Sequence, residues 1–268
     1  MSDGRCDVCG EAFGSDLRTP ASFDAAGLRC RICGQVPPPF ERAVAYGSYD
    51  GALRDLIHLL KFHQVRPAAA VLGRMIAESI ATLEPSVPPG TIAIVPVPLH
   101  AHKQSQRGFN QAEVIARAAL KQLWRLQSRQ TRFSSSEMPQ QDRLPSILDE
   151  RFALCLHALV RTRDTGSQIG LTRHQRRQHL REAFAVKDRA PICNRDVLLV
   201  DDVYTTGATA SECARVLRRA GAARVWVATV ARTLRVFTPP LAMDDLSQEE
   251  GHGGNAENES RLSMAVNG

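Results

Sequence analysis

The sequence contains few aromatic residues and no long apolar segment. Only 5% of its 268 residues are Phe, Trp or Tyr, which argues against a protein built around stacking platforms for nucleic acid bases. No apolar run approaches the roughly 20 residues that a membrane-spanning helix needs. The first residues, MSDGRC, offer no apolar stretch for a signal peptide. We therefore expect a cytoplasmic protein with no membrane partner.

Two common nucleotide-binding motifs are also missing from the most informative segment, residues 197–209. A P-loop ends in Gly-Lys-Ser/Thr and a dinucleotide fingerprint has three spaced glycines, and VLLVDDVYTTGAT contains neither. The segment instead has an apolar run, two adjacent carboxylates at Asp201 and Asp202, and a small, hydroxyl-rich loop at 205–209 that opens a helical pattern. This order predicts a buried strand that carries both carboxylates at its carboxyl end.

Sugar phosphates are the ligands that such a segment suits. Backbone N–H groups and the dipole at a helix N-terminus favour a phosphate, so the 205–209 loop is a candidate phosphate site. Carboxylates accept hydrogen bonds from vicinal hydroxyls or hold Mg²⁺ through water. The alternative is an ordinary strand–turn–helix in which Thr209 and Glu212 form a capping box.

The net charge is unevenly distributed along the chain. Residues 236–268 contain six acidic side chains and one basic side chain, a net charge of −5. The rest of the chain has 33 basic and 22 acidic residues, a net charge of +11. A body this basic attracts polyanions such as pyrophosphate or nucleic acid. We interpret residues 236–268 as an acidic, disordered tail.

Four of the seven cysteines form two CxxC pairs near the N-terminus. Cys6 and Cys9 make the first pair, Cys30 and Cys33 the second, and glycine follows each pair. Two such knuckles bind one tetrahedral zinc ion, and a segment too short for its own core is stabilised by the metal. We predict a structural zinc ribbon over residues 1–40; a redox dithiol is the alternative. Four thiolates leave no open position for zinc catalysis.

Strand and helix patterns alternate in the predicted main domain, residues 41–235. The strands are a short pair within 43–49, then 91–99, 197–200 and 225–230, and helices begin near 52, 111 and 208. This alternation predicts an α/β domain with a parallel sheet covered by helices on both faces. Ligands of such sheets bind beyond the carboxyl ends of the strands, where Asp201 and Asp202 should lie.

Outside the 197–209 motif, two further segments are candidates for contacts with phosphate or nucleic acid, and a third is a predicted insertion. Pro96, Val97 and Pro98 end a strand, and a loop with His100, His102, Lys103 and Arg107 follows, leading to a capping box of Asn110 and Glu113. Residues 161–181 are rich in arginine. They predict a basic flap that either closes over pyrophosphate or contacts nucleic acid; the alternative is a solvated face. Residues 127–150 are polar and predict a mobile insertion.

The 197–209 segment resembles the thirteen-residue motif with which type I phosphoribosyltransferases bind phosphoribosyl pyrophosphate (PRPP). The whole chain resembles the bacterial ComF (competence protein F) family, a zinc ribbon joined to a phosphoribosyltransferase-like domain. The further matching segments are Tyr49 to Phe62, VPVPL at 95–99, RGFNQAE at 107–113, RDTGSQ at 163–168 and AF at 183–184. The chain departs from the family at His179, where asparagine is usual, and at Lys103 and Gln104, where arginine is commoner.

The resemblance implies a type I phosphoribosyltransferase fold and a ligand set. The PRPP-binding residues would be Asp201, Asp202, Thr205, Thr206, Gly207, Ala208 and Thr209, with Mg²⁺ bound alongside PRPP. Asp201 and Asp202 would be catalytic, because they would steady an oxocarbenium ion developing at C1 of the ribose. Pro96, Val97 and Pro98 would form the pyrophosphate loop. The candidate phosphate or DNA contacts are Arg107, Asn110, Gln111, Arg173, Arg176 and Arg177.

Two functions follow from the resemblance, and both remain open from the sequence. The first is a phosphoribosyltransferase that takes part in DNA uptake, natural competence or nucleotide salvage. The second is a non-catalytic protein that binds PRPP or single-stranded DNA, with other competence proteins as partners. A steep loss of single-strand binding with salt favours the second, and base-dependent pyrophosphate release favours the first.

Overall fold

A computed structural model describes residues 4–13, 22–24, 27–83, 86–134, 151–163 and 180–233. Several predicted segments lie outside these residues. They are the acidic tail at 236–268, most of the insertion at 127–150, and the centre of the basic segment, which includes Arg173, Arg176, Arg177 and His179.

The described residues form nine strands and six helices. The strands are β1 (Ser22–Asp24), β2 (Gly27–Arg29), β3 (Ala43–Ser48), β4 (Ile92–Pro96), β5 (Phe152–Leu154), β6 (Leu159–Arg161), β7 (Phe184–Val186), β8 (Asp196–Tyr204) and β9 (Arg224–Arg232). The helices are α1 (Arg31–Gln35), α2 (Gly51–Phe62), α3 (Ala68–Leu83), α4 (Ala101–Arg107), α5 (Gln111–Ser134) and α6 (Ala208–Arg219).

The central sheet has five strands in the order β3-β9-β8-β4-β5, and every neighbouring pair is parallel. Strands β8 and β9 lie in the middle because their apolar runs are buried on both faces, as parallel sheets covered by helices require. Strands β1 and β2 form a separate antiparallel hairpin, and so do β6 and β7. The predicted α/β fold class is confirmed.

The two faces of the sheet belong to different buried clusters. Successive strand residues point to opposite faces, so Val197 and Leu199 pack with α6, the β6–β7 hairpin and the cysteine module. Leu198 and Val200 pack instead with α2, α3 and α5. The cysteine module therefore shares one core with the sheet.

Several elements differ from the sequence predictions. Residues 43–48 form one strand that pairs with β9, and the predicted strand pair within 43–49 is wrong. The predicted loop after Leu99 contains α4, whose polar sequence has no apolar periodicity and which ends at Gly108 in the left-handed conformation. Residues 127–134, assigned to the insertion, continue α5. Strand β8 continues through both aspartates to Tyr204.

Candidate functional site

Asp201 and Asp202 lie near the carboxyl end of β8 and point to opposite faces of the sheet. Alternation along the strand directs Asp202 toward α2, where its Oδ2 lies 2.6 Å from Nζ of Lys61. Asp202 is 5% exposed. Asp201 faces α6, and its Oδ1 accepts a hydrogen bond of 2.9 Å from the backbone N–H of Asp202. The two carboxylates therefore have different neighbours, although both line one pocket.

Burial and charge shift the pKa values at this site. Burial and then the charge of Asp202 raise the pKa of Asp201 to about 8. Burial lowers the pKa of Lys61, but the charge of Asp202 and the hydrogen bond to it raise that pKa. The net result is a raised pKa for Lys61. Burial lowers the pKa of Arg107, and Asp202 partly offsets that shift. A cation or hydroxyl donors beside Asp201 would favour its ionised form.

The 205–209 loop connects β8 to α6 and contains one residue, Gly207, in the left-handed conformation. Gly207 precedes α6 with φ of +76°, and a Cβ there would clash with the ring of Tyr204. The backbone N–H of Ala208 donates to Oγ1 of Thr206 at 3.4 Å. The capping box of Thr209 and Glu212 is not formed, because the carboxylate of Glu212 accepts from the backbone N–H of Glu182. The loop is thus shaped by glycine and Tyr204.

A second loop, at Pro96, Val97 and Pro98, lies beside the carboxyl end of β8. The backbone N–H of Val97 donates to the carbonyl of Val200 at 2.9 Å. On the other side, Nδ2 of Asn110 donates to the carbonyl of Val97 at 3.0 Å, while Oδ1 of Asn110 caps α5 by accepting from the N–H of Ala112. Asn110 is 7% exposed. Both ends of the Asn110 amide therefore contact the backbone and join the 96–98 loop to α5.

The side chain of Gln111 has a comparable supporting position. Its Oε1 accepts a hydrogen bond of 2.5 Å from Nη1 of Arg107, and both residues line the pocket. Glu113, expected to complete a capping box with Asn110, pairs with Arg117 instead. Among the predicted phosphate or DNA contacts that lie within the described residues, Arg107 is the one with a positive charge, and it lines the pocket.

The pocket that contains these groups has a volume of about 670 Å³. It brings together Asp201, Asp202, Thr205, Thr209, Val97 and Pro98. This set joins the acidic pair, the two ends of the 205–209 loop and two residues of the 96–98 loop. We call it the Asp pocket.

The basic segment 161–181 begins at the Asp pocket, and its last residue, Arg181, lines a different pocket beside Glu182 and α6. Arg161 lines the pocket, and its guanidinium lies 5.5 Å from the ring centroid of Phe184. Arg163 donates to the backbone carbonyl of Arg181, which holds the two ends of the segment together above the β6–β7 hairpin. The flap stays a prediction, because residues 164–179 lie outside the described residues.

Lys61 and Phe62 are among the pocket residues that sequence reasoning missed. The sequence analysis includes them only as the end of the matching segment from Tyr49 to Phe62. Both lie at the end of α2, far from β8 in the chain, and only the packing of α2 against the sheet brings them to Asp202. The one sequence feature that could have pointed to them is the pair Lys61-Phe62 directly after the apolar pattern of a helix.

The cysteine module forms a compact ligand cluster. Cys6, Cys9, Cys30 and Cys33 are buried, and their sulfur atoms all lie within 4.8 Å of one another, with Cys9 and Cys30 3.7 Å apart. Four thiolates about 2.3 Å from one zinc ion lie about 3.8 Å apart, so the cluster could hold a metal ion. A hydrogen bond from Cys33 contributes most to lowering the pKa of Cys30 to about 6.

Arg232 connects this module to the Asp pocket side of the sheet. Its guanidinium, in a residue that is 5% exposed, donates to the carbonyl of Cys9 and pairs with Glu11. It also lies 5.1 Å from the ring centroid of Tyr204, the residue that shapes the 205–209 loop. A continuous set of contacts therefore runs from the first knuckle to that loop.

No helix among the described residues is long and apolar enough to cross a membrane.

Comparisons with known proteins give a family for the chain. No protein-family model matches it. It is 32% identical over 244 residues to the DNA utilization protein YhgH of Escherichia coli K12, covering 86% of this chain and 91% of that protein. Competence protein F of Haemophilus influenzae is 29% identical over 231 residues, 84% of each chain. The similarity to a solved structure of the allosteric regulatory enzyme of purine biosynthesis covers 62% of this chain and 26% of that one, with 20% identity and a TM-score of 0.33. On its similarity to YhgH and competence protein F, the chain belongs to the competence protein F family.

Proposed function

We propose that this protein binds PRPP, or a closely related 5-phosphoribosyl ligand, with Mg²⁺ in the Asp pocket, and that it does so as part of the utilisation of DNA. The names of its relatives, a DNA utilization protein and a competence protein, support the second half of the proposal. The site supports the first half.

The observation that carries the proposal is the meeting of three elements in one pocket. Asp201 and Asp202 supply acceptors for ribose hydroxyls or a cation, the 205–209 loop supplies donors for a 5-phosphate, and the 96–98 loop lies across from them. Lys61 and Arg107 add positive charge at the same place. A phosphorylated sugar with a pyrophosphate has the hydroxyls and the anionic groups that this arrangement can bind.

Both metals fit the donors that the chain provides. Asp201 and Asp202 are carboxylates of the kind that Mg²⁺ prefers, and the ion would neutralise charge on a pyrophosphate group. The four sulfur atoms of the cysteine cluster suit a structural zinc ion, whose closed coordination contributes to folding and not to chemistry.

A transfer reaction at this site needs no nucleophilic side chain. Asp201 and Asp202 would orient the ribose and stabilise positive charge at C1, while Arg107 and Arg161 would stabilise the departing pyrophosphate. Release of pyrophosphate that depends on an added base supports turnover. The alternative is a binding protein for single-stranded DNA, favoured by the net charge of +11 over residues 1–235 and marked by salt-sensitive binding.

The Gly207→Ala variant tests the phosphate end of the pocket. The added Cβ meets the ring of Tyr204 at a φ of +76°, so the loop must move, and we expect the affinity for Mg²⁺-PRPP in calorimetric titration to fall at least tenfold. Gly90→Ala is the matched control, since it also has positive φ but nothing within 4 Å of its Cβ. Equal PRPP affinity in Gly207→Ala and wild type would contradict the proposal.

A further inference from the structure

Phe62 is an exposed aromatic ring on the wall of the Asp pocket. It is the last residue of α2, and 63% of its surface is accessible. Leu59 and Val65 are partly exposed near the same helix end. Single exposed apolar residues are common on protein surfaces, so exposure alone does not indicate a binding site. Phe62, however, also lines the Asp pocket.

The ring stands beside the groups that the proposed function assigns to the ribose. Phe62 follows Lys61, whose Nζ contacts Asp202 at 2.6 Å. The guanidinium of Arg107 lies 5.7 Å from the centroid of the Phe62 ring, and the ring of His58 meets it edge-on at 5.1 Å. These neighbours hold the ring at the pocket while leaving most of it open.

Phe62 is the only aromatic residue among the described residues that line this pocket. The other lining residues carry charged, amide, hydroxyl or aliphatic side chains, so Phe62 supplies the aromatic face of this lining. Since PRPP has no ring of that kind, an open aromatic face in its binding site has no partner on PRPP itself. A planar base attached at C1 would have one.

We propose that Phe62 is the stacking platform for a nucleobase, so that the pocket takes a purine or pyrimidine nucleoside 5′-phosphate, or the free base that becomes one. This inference rests on the proposed function, because the sugar phosphate places the base next to the ring. The Arg107 guanidinium provides a second planar group beside the same ring. Stacking of a base on a protein ring is sequence-tolerant, so the platform sets the ligand class and not the identity of the base.

The test compares two probes that differ only in the base. Adenosine 5′-monophosphate and ribose 5-phosphate are titrated with Mg²⁺ into the full-length wild-type protein and into Phe62→Leu and Phe62→Trp variants. We expect wild type to bind the nucleotide about fivefold or more tightly than the sugar phosphate, from the contribution of one stacked base. Phe62→Leu should lose that ratio, and Phe62→Trp should keep it.

Two further variants separate the possible failures. Trp124→Leu removes an exposed aromatic side chain that does not line the pocket, and it should leave the ratio unchanged. Asp201→Asn combined with Asp202→Asn should weaken both probes together. If wild type binds neither probe nor PRPP, the proposed function and this inference both fail.

Other outcomes overturn the inference alone. If ribose 5-phosphate and PRPP bind but the nucleotide has no advantage, or if Phe62→Leu keeps the advantage, Phe62 is not a base platform. If Phe62→Leu changes the sedimentation of the protein and not the ratio, the ring belongs to a protein interface instead.

Discussion

Asp201 and Asp202 are neighbours in the chain but lie in different electrostatic surroundings. Because successive side chains of a strand point to opposite faces, one carboxylate contacts Lys61 on α2 and the other, half-buried, lies on the α6 side. Asp202 thus lies in contact with the ammonium group of Lys61. Asp201 has its pKa raised to about 8, first by burial and then by the charge of Asp202. The pKa of one carboxyl group of the acidic pair is therefore raised, and the other carboxyl group contacts a lysine.

This difference predicts proton release on ligand binding. At pH 7 Asp201 is protonated, and Mg²⁺ or ribose hydroxyls favour its carboxylate, so binding should expel a proton and the affinity should rise as the pH approaches 8. Calorimetric titrations with Mg²⁺-PRPP in two buffers of different ionisation enthalpy measure the number of protons. The Asp201→Asn variant should release fewer protons than wild type. Equal release from both proteins would contradict this assignment.

The same shift predicts a stability effect in the absence of ligand. A carboxyl group whose pKa is raised in the folded state stabilises folding below its ordinary pKa and progressively less as the pH rises toward about 8. Asp201→Asn removes that loss, and we expect it to raise the melting temperature by a few degrees at pH 8. Its advantage should shrink at pH 4. An unchanged or lower melting temperature at pH 8 would contradict the prediction.

At the scale of elements, Asn110 joins α5 to the 96–98 loop by using both ends of its amide. We expect Asn110→Ala to cost about 1–2 kcal/mol of stability from the lost cap and donor and to weaken PRPP binding. Asn110→Asp is the matched variant, because a carboxylate keeps the cap to Ala112 but cannot donate to the carbonyl of Val97. Urea unfolding should show that Asn110→Asp is more stable than Asn110→Ala. PRPP titration should show that both variants bind PRPP less tightly than wild type.

The elements around this loop also show where sequence reasoning works. The runs that became β8, β9 and α6 were predictable because they are apolar, periodic and bounded by glycine at 207 and 221. Helix α4 was not, because AHKQSQR has no apolar stripe and no buried residue. Likewise, the contact of Lys61 with Asp202 depends on how α2 packs, and no local pattern encodes it.

At the scale of the whole molecule, the cysteine module and the sheet share a core through Arg232. Arg232 is buried with Glu11 as its carboxylate partner. Removing that partner leaves a buried charge, so Glu11→Gln should lower the free energy of unfolding by about 3 kcal/mol. Glu113→Gln, which breaks the more exposed pair with Arg117, should change it by less than about 0.5 kcal/mol. Urea unfolding of both variants measures the difference, and equal effects would contradict the coupling.

The same connection makes a prediction about the metal. Metal analysis should find about one zinc ion per chain, and chelation should lower the melting temperature of the whole body, because Arg232 loses the ordered knuckle that holds its guanidinium. A zinc-free protein with an unchanged melting temperature would contradict the structural zinc.

The central claim, that the Asp pocket binds a 5-phosphoribosyl ligand, is tested most directly by calorimetric titration of zinc-replete protein with Mg²⁺-PRPP. The wild type is compared with a variant that combines Asp201→Asn and Asp202→Asn, two substitutions that keep side-chain size and remove both carboxyl groups. We predict that the wild type binds and that the variant does not. Binding of equal strength in both proteins, or in neither, would contradict the claim.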